Sequence, residues 1–135
     1  MNKNLGWCVI LDILQVKGIL KRYFDAFYEV NVDELSILFH EAMRIYSRGE
    51  NGALEDICKE NFIKIVKTFR PNSENPDFIR DDEILAIDFI SEDVAVARVK
   101  LRFDNYICTD IVNMMRVDGV WSIVSILDTK EVIQH

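Results

Sequence analysis

Two polar side chains interrupt patterns that are otherwise apolar, and they are the first candidates for chemistry. Asn113 lies within a strand-like alternation whose other same-side residues are Ile107, Thr109, Ile111, Met115 and Val117. Tyr23 lies in the apolar stripe of a helix-like segment. A buried amide or phenol needs a partner, because leaving one unpaired costs about 1–3 kcal/mol. Two interpretations stay open. Either both side chains converge in a ligand pocket beside Phe27 and Met115, or each bonds backbone or water within a packed core.

His40 is a second candidate, because it is the one histidine that does not stand at the end of the chain. It follows Leu38 and Phe39, where the pattern predicts the end of a short helix. A histidine there can act as a general base, or it can bond the last carbonyls of the helix. The sequence contains no HExxH, CxxC, GxSxG or Gly-rich phosphate loop. Catalytic residues other than His40 are therefore unassigned, and neither a metal site nor a cofactor is expected.

Length and charge limit the class of protein. The chain has 135 residues, with 16 basic and 23 acidic side chains and a net charge of −7. This length predicts one domain over residues 12–135 after a lead-in at residues 1–11. The acidic balance argues against a surface for nucleic acid or anionic membrane. No apolar stretch approaches the roughly 20 residues of a membrane span.

The cysteines and the N-terminus indicate a compartment. Cys8, Cys58 and Cys108 are far apart, and their odd number predicts neither a disulfide framework nor a zinc site. Asp12 interrupts the short apolar run that follows Lys3, which argues against a secretory signal. We expect reduced thiols in a cytoplasmic protein.

Helical patterns come first along the chain and strand patterns come last, which predicts an α+β fold. Apolar spacing predicts helices over 12–30, 33–39 and 60–69, with Asp33 as N-cap of the second helix. Residues 54–57 fit either a strand or a helix start, and 71–76 form a loop. Alternation predicts strands over 43–47, 82–90, 93–103, 106–117 and 120–127.

The meander of strands predicts two different sheet faces. One face of the strand at 93–103 carries only apolar side chains, which we expect to cover the helices: Ala95, Ala97, Val99, Leu101 and Phe103. The opposite face mixes charges with Val and Met, which suits either a subunit interface or a solvated surface. On it, Arg98 or Lys100 is expected to pair across strands with Asp88 or Asp110.

Several segments together resemble one known superfamily. They are Lys21-Arg22-Tyr23-Phe24, Asp33-Glu34-Leu35 with Leu38-Phe39-His40, Glu60-Asn61-Phe62, and the stretch DIVNMMRVDGVWSIV at 110–124. In this order they are similar to the nuclear transport factor 2-like superfamily, in its SnoaL-like and putative lumazine-binding branch. The resemblance implies a cystatin-like α+β roll, in which a cone-shaped, curved antiparallel sheet packs around three N-terminal helices. It also implies a homodimer formed through the outer sheet face.

The related ketosteroid isomerases suggest roles for some residues. In those enzymes a tyrosine and a protonated aspartic acid form an oxyanion hole, and a second aspartate is the base. By resemblance Tyr23 matches the tyrosine, Asn113 matches the protonated acid, and the base position falls near Ser47. Serine is no base without help, and this departure argues against the isomerase reaction.

Three functions remain open at this stage. The leading interpretation is a dimeric small-molecule-binding protein whose apolar pocket takes a small apolar or cyclic ligand, oriented by Tyr23 and Asn113. The second is a proton-transfer enzyme, an isomerase, dehydratase or cyclase, in which His40 or a water supplies the base. The third is a non-catalytic dimeric interaction module whose interior is filled by Phe24, Phe27, Phe62 and Met115.

Overall fold

The computed structural model describes the backbone of residues 5–133 and the side chains of residues 9–133. Its helices are α1 (Leu5–Glu29), α2 (Val32–Leu38) and α3 (Lys59–Lys67), with a 3₁₀ turn at Asn72–Glu74. Its strands are β1 (Phe39–Arg48), β2 (Leu54–Cys58), β3 (Asp82–Ser91), β4 (Val94–Phe103), β5 (Tyr106–Val117) and β6 (Val120–Val132).

The strands form one curved, unclosed sheet with three helices packed against it. The strand order is β2-β1-β6-β5-β4-β3. Every neighbouring pair is antiparallel except β1 and β6, which run parallel. The predicted α+β class and the helix-filled curved sheet are confirmed. The parallel pair places β1, the first strand in the sequence, beside β6, the last one. It thereby joins the β1–β2 pair to the antiparallel strands β3 to β6.

Two hairpin turns set the register of the last three strands. Asp104 adopts φ 51° in the β4–β5 turn, and Asp118 and Gly119 adopt φ 51° and 79° in the β5–β6 turn. Aspartate and glycine tolerate this left-handed region, so the turns can be two residues long. The first turn pairs Phe103 with Tyr106 across the strands. Counting away from the turn along both strands then gives every other β4–β5 pair.

The core lies between α1 and the inner face of the sheet. The predicted inner face of β4 is confirmed, because Ala95, Ala97, Val99 and Leu101 are all buried. The α1 stripe meets it with Val16, Leu20, Tyr23, Phe24 and Phe27, which are buried as well. The Asn72 side chain links α1 to the β4–β5 turn. It donates to the Phe27 carbonyl and accepts from the Asp104 amide.

Several element boundaries differ from the predicted ones. Helix α1 begins at Leu5, so residues 5–11 of the expected lead-in are helical. The pattern missed them because Val9, Ile10 and Leu11 are exposed and belong to no buried stripe. Asn31, not Asp33, caps α2, since its side chain accepts from the Glu34 amide. The side chain of Cys8 lies outside the described residues, while Cys58 and Cys108 are free thiols.

Between residues 5 and 133, no helix is both long enough and apolar enough to cross a membrane.

Candidate functional site

A cavity of about 120 Å³ lies between α1, α3 and the inner face of the sheet. Six of the fifteen side chains that line it are aromatic, and they come from both helices, from the loop after α3 and from the β4–β5 hairpin: Tyr23, Phe27, Phe62, Phe69, Phe103 and Tyr106. Phe27 stands at the centre of this wall, because its ring lies 4.9 Å from that of Tyr23 and 5.4 Å from that of Phe103. Rings in edge-to-face contact therefore form one part of the wall, and aliphatic side chains such as Ile45, Leu101 and Ile126 form another.

A hydrogen-bonded pair forms the inner end of the cavity. Tyr23 on α1 donates from its hydroxyl to Oδ2 of Asp110 on β5, at 3.1 Å. Both side chains are buried, Tyr23 to 1% exposed and Asp110 to 4% exposed. Burial, and then the neighbouring Asp110 carboxyl, raise the pKa of Tyr23 well above its ordinary value. The phenol therefore keeps its proton and acts as a donor.

Asp110 also faces a second carboxyl group. Asp128 on β6 is its direct cross-strand partner, and the two carboxyls are within hydrogen-bonding reach. Burial, reinforced by Asp128, raises the pKa of Asp110 to about 9. No donor among the described side chains or backbone groups reaches Oδ1 of Asp110. A proton on that oxygen, shared with Asp128, satisfies both acids, so Asp110 is neutral at physiological pH.

The outer end of the cavity is more polar and more open. The Asp128 side chain is 18% exposed there, and Lys130 Nζ lies 3.9 Å from its Oδ2. Cys108 lines the wall between the two ends. Burial, then Asp110 and Asp128, raise the pKa of Cys108 to about 12, so this thiol is not a nucleophile at neutral pH. The arrangement can hold one ring and bind one polar group at its acidic end.

Of the ligand-binding residues predicted from sequence, the structure brings only Tyr23 and Phe27 to the cavity. Asn113 and Met115 lie on the outer face of the sheet, where Asn113 donates to the Ser125 hydroxyl at 2.9 Å. The predicted face of β5 is wrong. Asp110 pairs with the buried Val99, so the even-numbered residues of β5 point inward. The acid, not the amide, is the partner of Tyr23.

His40, the candidate base, and Ser47, at the position of the family's base, do not line the cavity either. His40 is in β1 rather than at a helix end, and its Nδ1 accepts from the Ala42 amide at 3.0 Å. Ser47 donates to Glu55 at 3.3 Å, but its parallel neighbour in the sheet is Asp128. A carboxylate on the adjacent strand therefore stands close to the position where the resemblance placed a base.

The expected cross-strand pairs with Asp110 do not form. Lys100 pairs instead with Asp81, at 3.2 Å, on the exposed side of the sheet. Asp110 and Asp128 were not identified as site residues from the sequence, although the two-residue turn at 104–105 contained the signal for Asp110. Counting back from that turn places Asp110 opposite Val99, on the face of β4 that is wholly apolar.

Among residues 9–133, no group of three or more His, Cys, Asp or Glu side chains is arranged to hold a metal ion.

Comparison with solved structures identifies the fold. An NTF2-like protein of unknown function from Shewanella baltica OS155 matches with a TM-score of 0.80 at 17% identity, covering 92% of this chain and 97% of that one. Another from Silicibacter pomeroyi DSS-3 gives 0.78 at 16%, covering 91% and 98%. A ketosteroid isomerase-like protein from Erwinia carotovora atroseptica gives 0.67 at 12%, covering 98% and 100%. At these identities the similarity shows a shared fold and nothing more specific.

The sequence itself also matches a family model. No curated protein matches the chain. The model described as "Putative lumazine-binding" matches residues 12–127, which include most of α1, the whole of β5 and the Tyr23–Asp110 pair. Since this match spans most of the chain, the protein belongs to that family, and its fold is that of the NTF2-like proteins compared above.

Proposed function

We propose that this protein binds a small cyclic molecule in the aromatic cavity, with Tyr23 and Asp110 at its inner end and Asp128 at its outer end fixing the ligand's orientation. The observation that carries the proposal is a buried hydrogen-bonded pair, Tyr23 and Asp110, at the inner end of a cavity whose wall is mostly aromatic and aliphatic, with Asp128 and Lys130 at its outer end. Concave apolar sites with a few convergent polar groups are the usual form of small-molecule sites. The family description points in the same direction.

The volume of the cavity limits the ligand to one ring. A dry apolar cavity of about 150 Å³ holds a benzene molecule, and this one measures about 120 Å³. Lumazine, named in the family description, has two fused rings and needs more room than the cavity offers in this form. A single ring, with any substituent directed toward the more open outer end, is therefore the largest ligand that this volume allows. The same space argues against the third interpretation, an interaction module with a filled interior.

Binding of ring-sized probes tests this proposal. We expect toluene, aniline or benzaldehyde to bind with a Kd below about 1 mM, equivalent to roughly 4 kcal/mol. Leu101→Trp, which adds an indole to the buried inner face beside the cavity, should remove binding. Leu85→Trp, at a 39% exposed position on β3, is the matched control and should bind like the wild type. Isothermal titration calorimetry measures both, and urea unfolding confirms that each variant is folded.

The proposal fails if none of the three probes binds the wild-type protein. It also fails if a folded Leu101→Trp variant binds them as tightly as the wild type does, because the ring would then lie elsewhere.

One observation favours a second function, proton transfer. Two adjacent carboxyls whose environments separate their proton affinities can divide the roles of acid and base. Here Asp110 holds the proton, while Asp128 is more exposed and lies near Lys130. Asp128 therefore replaces His40 as the candidate base. Incorporation of deuterium from heavy water into a small ring ketone, lost in Asp128→Asn, would distinguish catalysis from binding alone.

A homodimer formed through the outer sheet face is also part of the proposal. Met115 and Leu127 leave 40% and 49% of their surface exposed on that face. Asn113 and Ser125 bond to each other between them, so the polar groups there are already satisfied. We expect Leu127→Glu to convert a dimer to a monomer, because the new carboxylate would be desolvated at the interface.

Sedimentation velocity measures this change in mass. Ile79→Glu, at an exposed position in the loop before β3, is the control and should remain dimeric. A wild-type protein that sediments as a monomer would contradict the dimer, while leaving the ligand site unaffected.

A further inference from the structure

We infer that the ligand of the cavity is a hydrogen-bond donor, a single ring bearing N–H or O–H, and that Asp128 accepts its hydrogen bond. This inference rests on the proposed binding function and names the class of ligand for the same site. It follows from the hydrogen bonds in which the protons of Tyr23 and Asp110 are already engaged.

The Tyr23 proton is not free for a ligand. The hydroxyl donates it to Oδ2 of Asp110, and both groups are buried. The two oxygens are 3.1 Å apart. A ligand that needed the phenol as donor would first have to break this bond.

The Asp110 proton is not free either. Oδ1 of Asp110 has no donor within the described part of the chain, and the Asp128 carboxyl faces it from β6. One shared proton satisfies both oxygens. Asp110 retains that proton because it is more buried, at 4% exposed, while the Asp128 side chain is 18% exposed and has Lys130 nearby. The hydrogen bonds therefore run in one direction, from Tyr23 to Asp110 to Asp128.

Asp128 is the last acceptor in this series and still has oxygen lone pairs to offer. Lys130 is a weak competitor for them, because its Nζ lies 3.9 Å away and its side chain is half exposed. A charged carboxylate at the edge of an apolar cavity attracts a donor more strongly than a neutral oxygen does. An acceptor-only ligand, such as an aldehyde, would face acceptor oxygens at Asp110 and Asp128 and would have to reach the half-exposed Lys130 for a donor.

This polarity is the opposite of the oxyanion hole that the resemblance to ketosteroid isomerases implies. There, the tyrosine and the protonated acid both donate to one ligand oxygen. Here, the tyrosine donates to the acid itself. The two arrangements select opposite ligands, so one set of matched probes distinguishes them.

The test compares three ring compounds of similar size on the wild-type protein by calorimetry at pH 7. Aniline donates hydrogen bonds, toluene neither donates nor accepts, and benzaldehyde only accepts. We expect aniline to bind about 10-fold or more tighter than either of the others, the effect of one hydrogen bond to a charged group. Asp128→Asn should reduce this preference to about 3-fold or less, while Asp88→Asn, at an exposed site on β3, should keep it.

The possible outcomes test the donor inference separately from the proposed binding function. Benzaldehyde binding more tightly than aniline, or equal affinity for all three rings, would overturn the donor inference and leave the binding function standing. Failure of every ring to bind would overturn both. The ranking on the wild-type protein is sufficient by itself, so the inference stays falsifiable even if Asp128→Asn does not fold.

Discussion

Asp110→Asn is expected to be more stable than the wild-type protein at neutral pH, although it removes a buried hydrogen-bonded acid. The asparagine amide has the shape of the neutral carboxyl. It can accept from Tyr23 as Oδ2 does and donate to Asp128 as the shared proton does. The substitution therefore keeps both bonds and removes only the group that ionises on unfolding.

The direction of the pH dependence follows from the pKa of Asp110 in the unfolded chain and in the folded protein. In the unfolded chain an aspartate has a pKa of about 3.9. In the folded protein, burial and then Asp128 raise the pKa of Asp110 to about 9. Between about pH 4 and pH 9 the folded state binds a proton that the unfolded state has lost. Stability from this group is therefore complete below about pH 4 and falls as pH rises, by up to about 1.4 kcal/mol per unit.

Urea unfolding of both proteins at pH 5, 6, 7 and 8 measures this effect. Titration of the acidic groups away from this pair is common to both proteins, so the difference between the two curves isolates the Asp110–Asp128 pair. We expect the wild type to lose about 2–3 kcal/mol relative to Asp110→Asn between pH 5 and pH 7. Asp88→Asn, which alters an exposed carboxyl on β3, should leave the wild-type slope unchanged. Parallel curves for wild type and Asp110→Asn would show that Asp110 is charged in the folded protein.

Phe27→Ala is expected to have the largest effect on stability, because Phe27 is central to both the core and the cavity wall. Its ring contacts those of Tyr23 and Phe103, and lies 6.0 Å from that of Phe62. Removing a buried phenylalanine costs about 3–5 kcal/mol through lost burial and the space left behind. The new space adjoins the existing cavity, so the two should merge.

Thermal and urea unfolding measure the loss, with Phe78→Ala as the control. Phe78 is a half-buried loop residue whose ring lies 5.8 Å from Tyr28 at the surface, so we expect a loss of about 1 kcal/mol. The merged cavity should accept two fused rings. Naphthalene should therefore raise the Tm of Phe27→Ala more than that of the wild type. A loss below about 1 kcal/mol for Phe27→Ala would contradict the central position of this ring.

Most of the fold follows from local patterns. Strand β5 was predicted at its observed bounds, because alternation over 106–117 ends at two short turns whose residues tolerate positive φ. The inner face of β4 was predicted correctly because one side of that strand is wholly apolar. The parallel pairing of β1 with β6 is different, since it joins strands that are far apart in the chain. No local pattern contains that information.

The candidate site was harder to predict, for two physical reasons. Both faces of β5 carry large apolar residues, so alternation alone did not show which face is buried. The run Asp128-Thr129-Lys130-Glu131 is polar and resembles a loop, yet pairing with residues 107–110 of β5 holds it in β6. The predicted end of β6 at residue 127 therefore excluded Asp128 and Lys130. Only the two-residue turn at 104–105 gave a usable signal, and it places Asp110 inward.

The most direct test of the ligand site is to locate a bound ring by NMR. Nuclear Overhauser effects between aniline at saturating concentration and assigned side chains report contacts within a few ångströms. We expect contacts with Phe62, Leu101 and Cys108, which line the cavity, and none with Met115 on the outer face. Contacts with Met115 or Leu127, together with none to Leu101, would place the ligand on the outer sheet face and contradict the account.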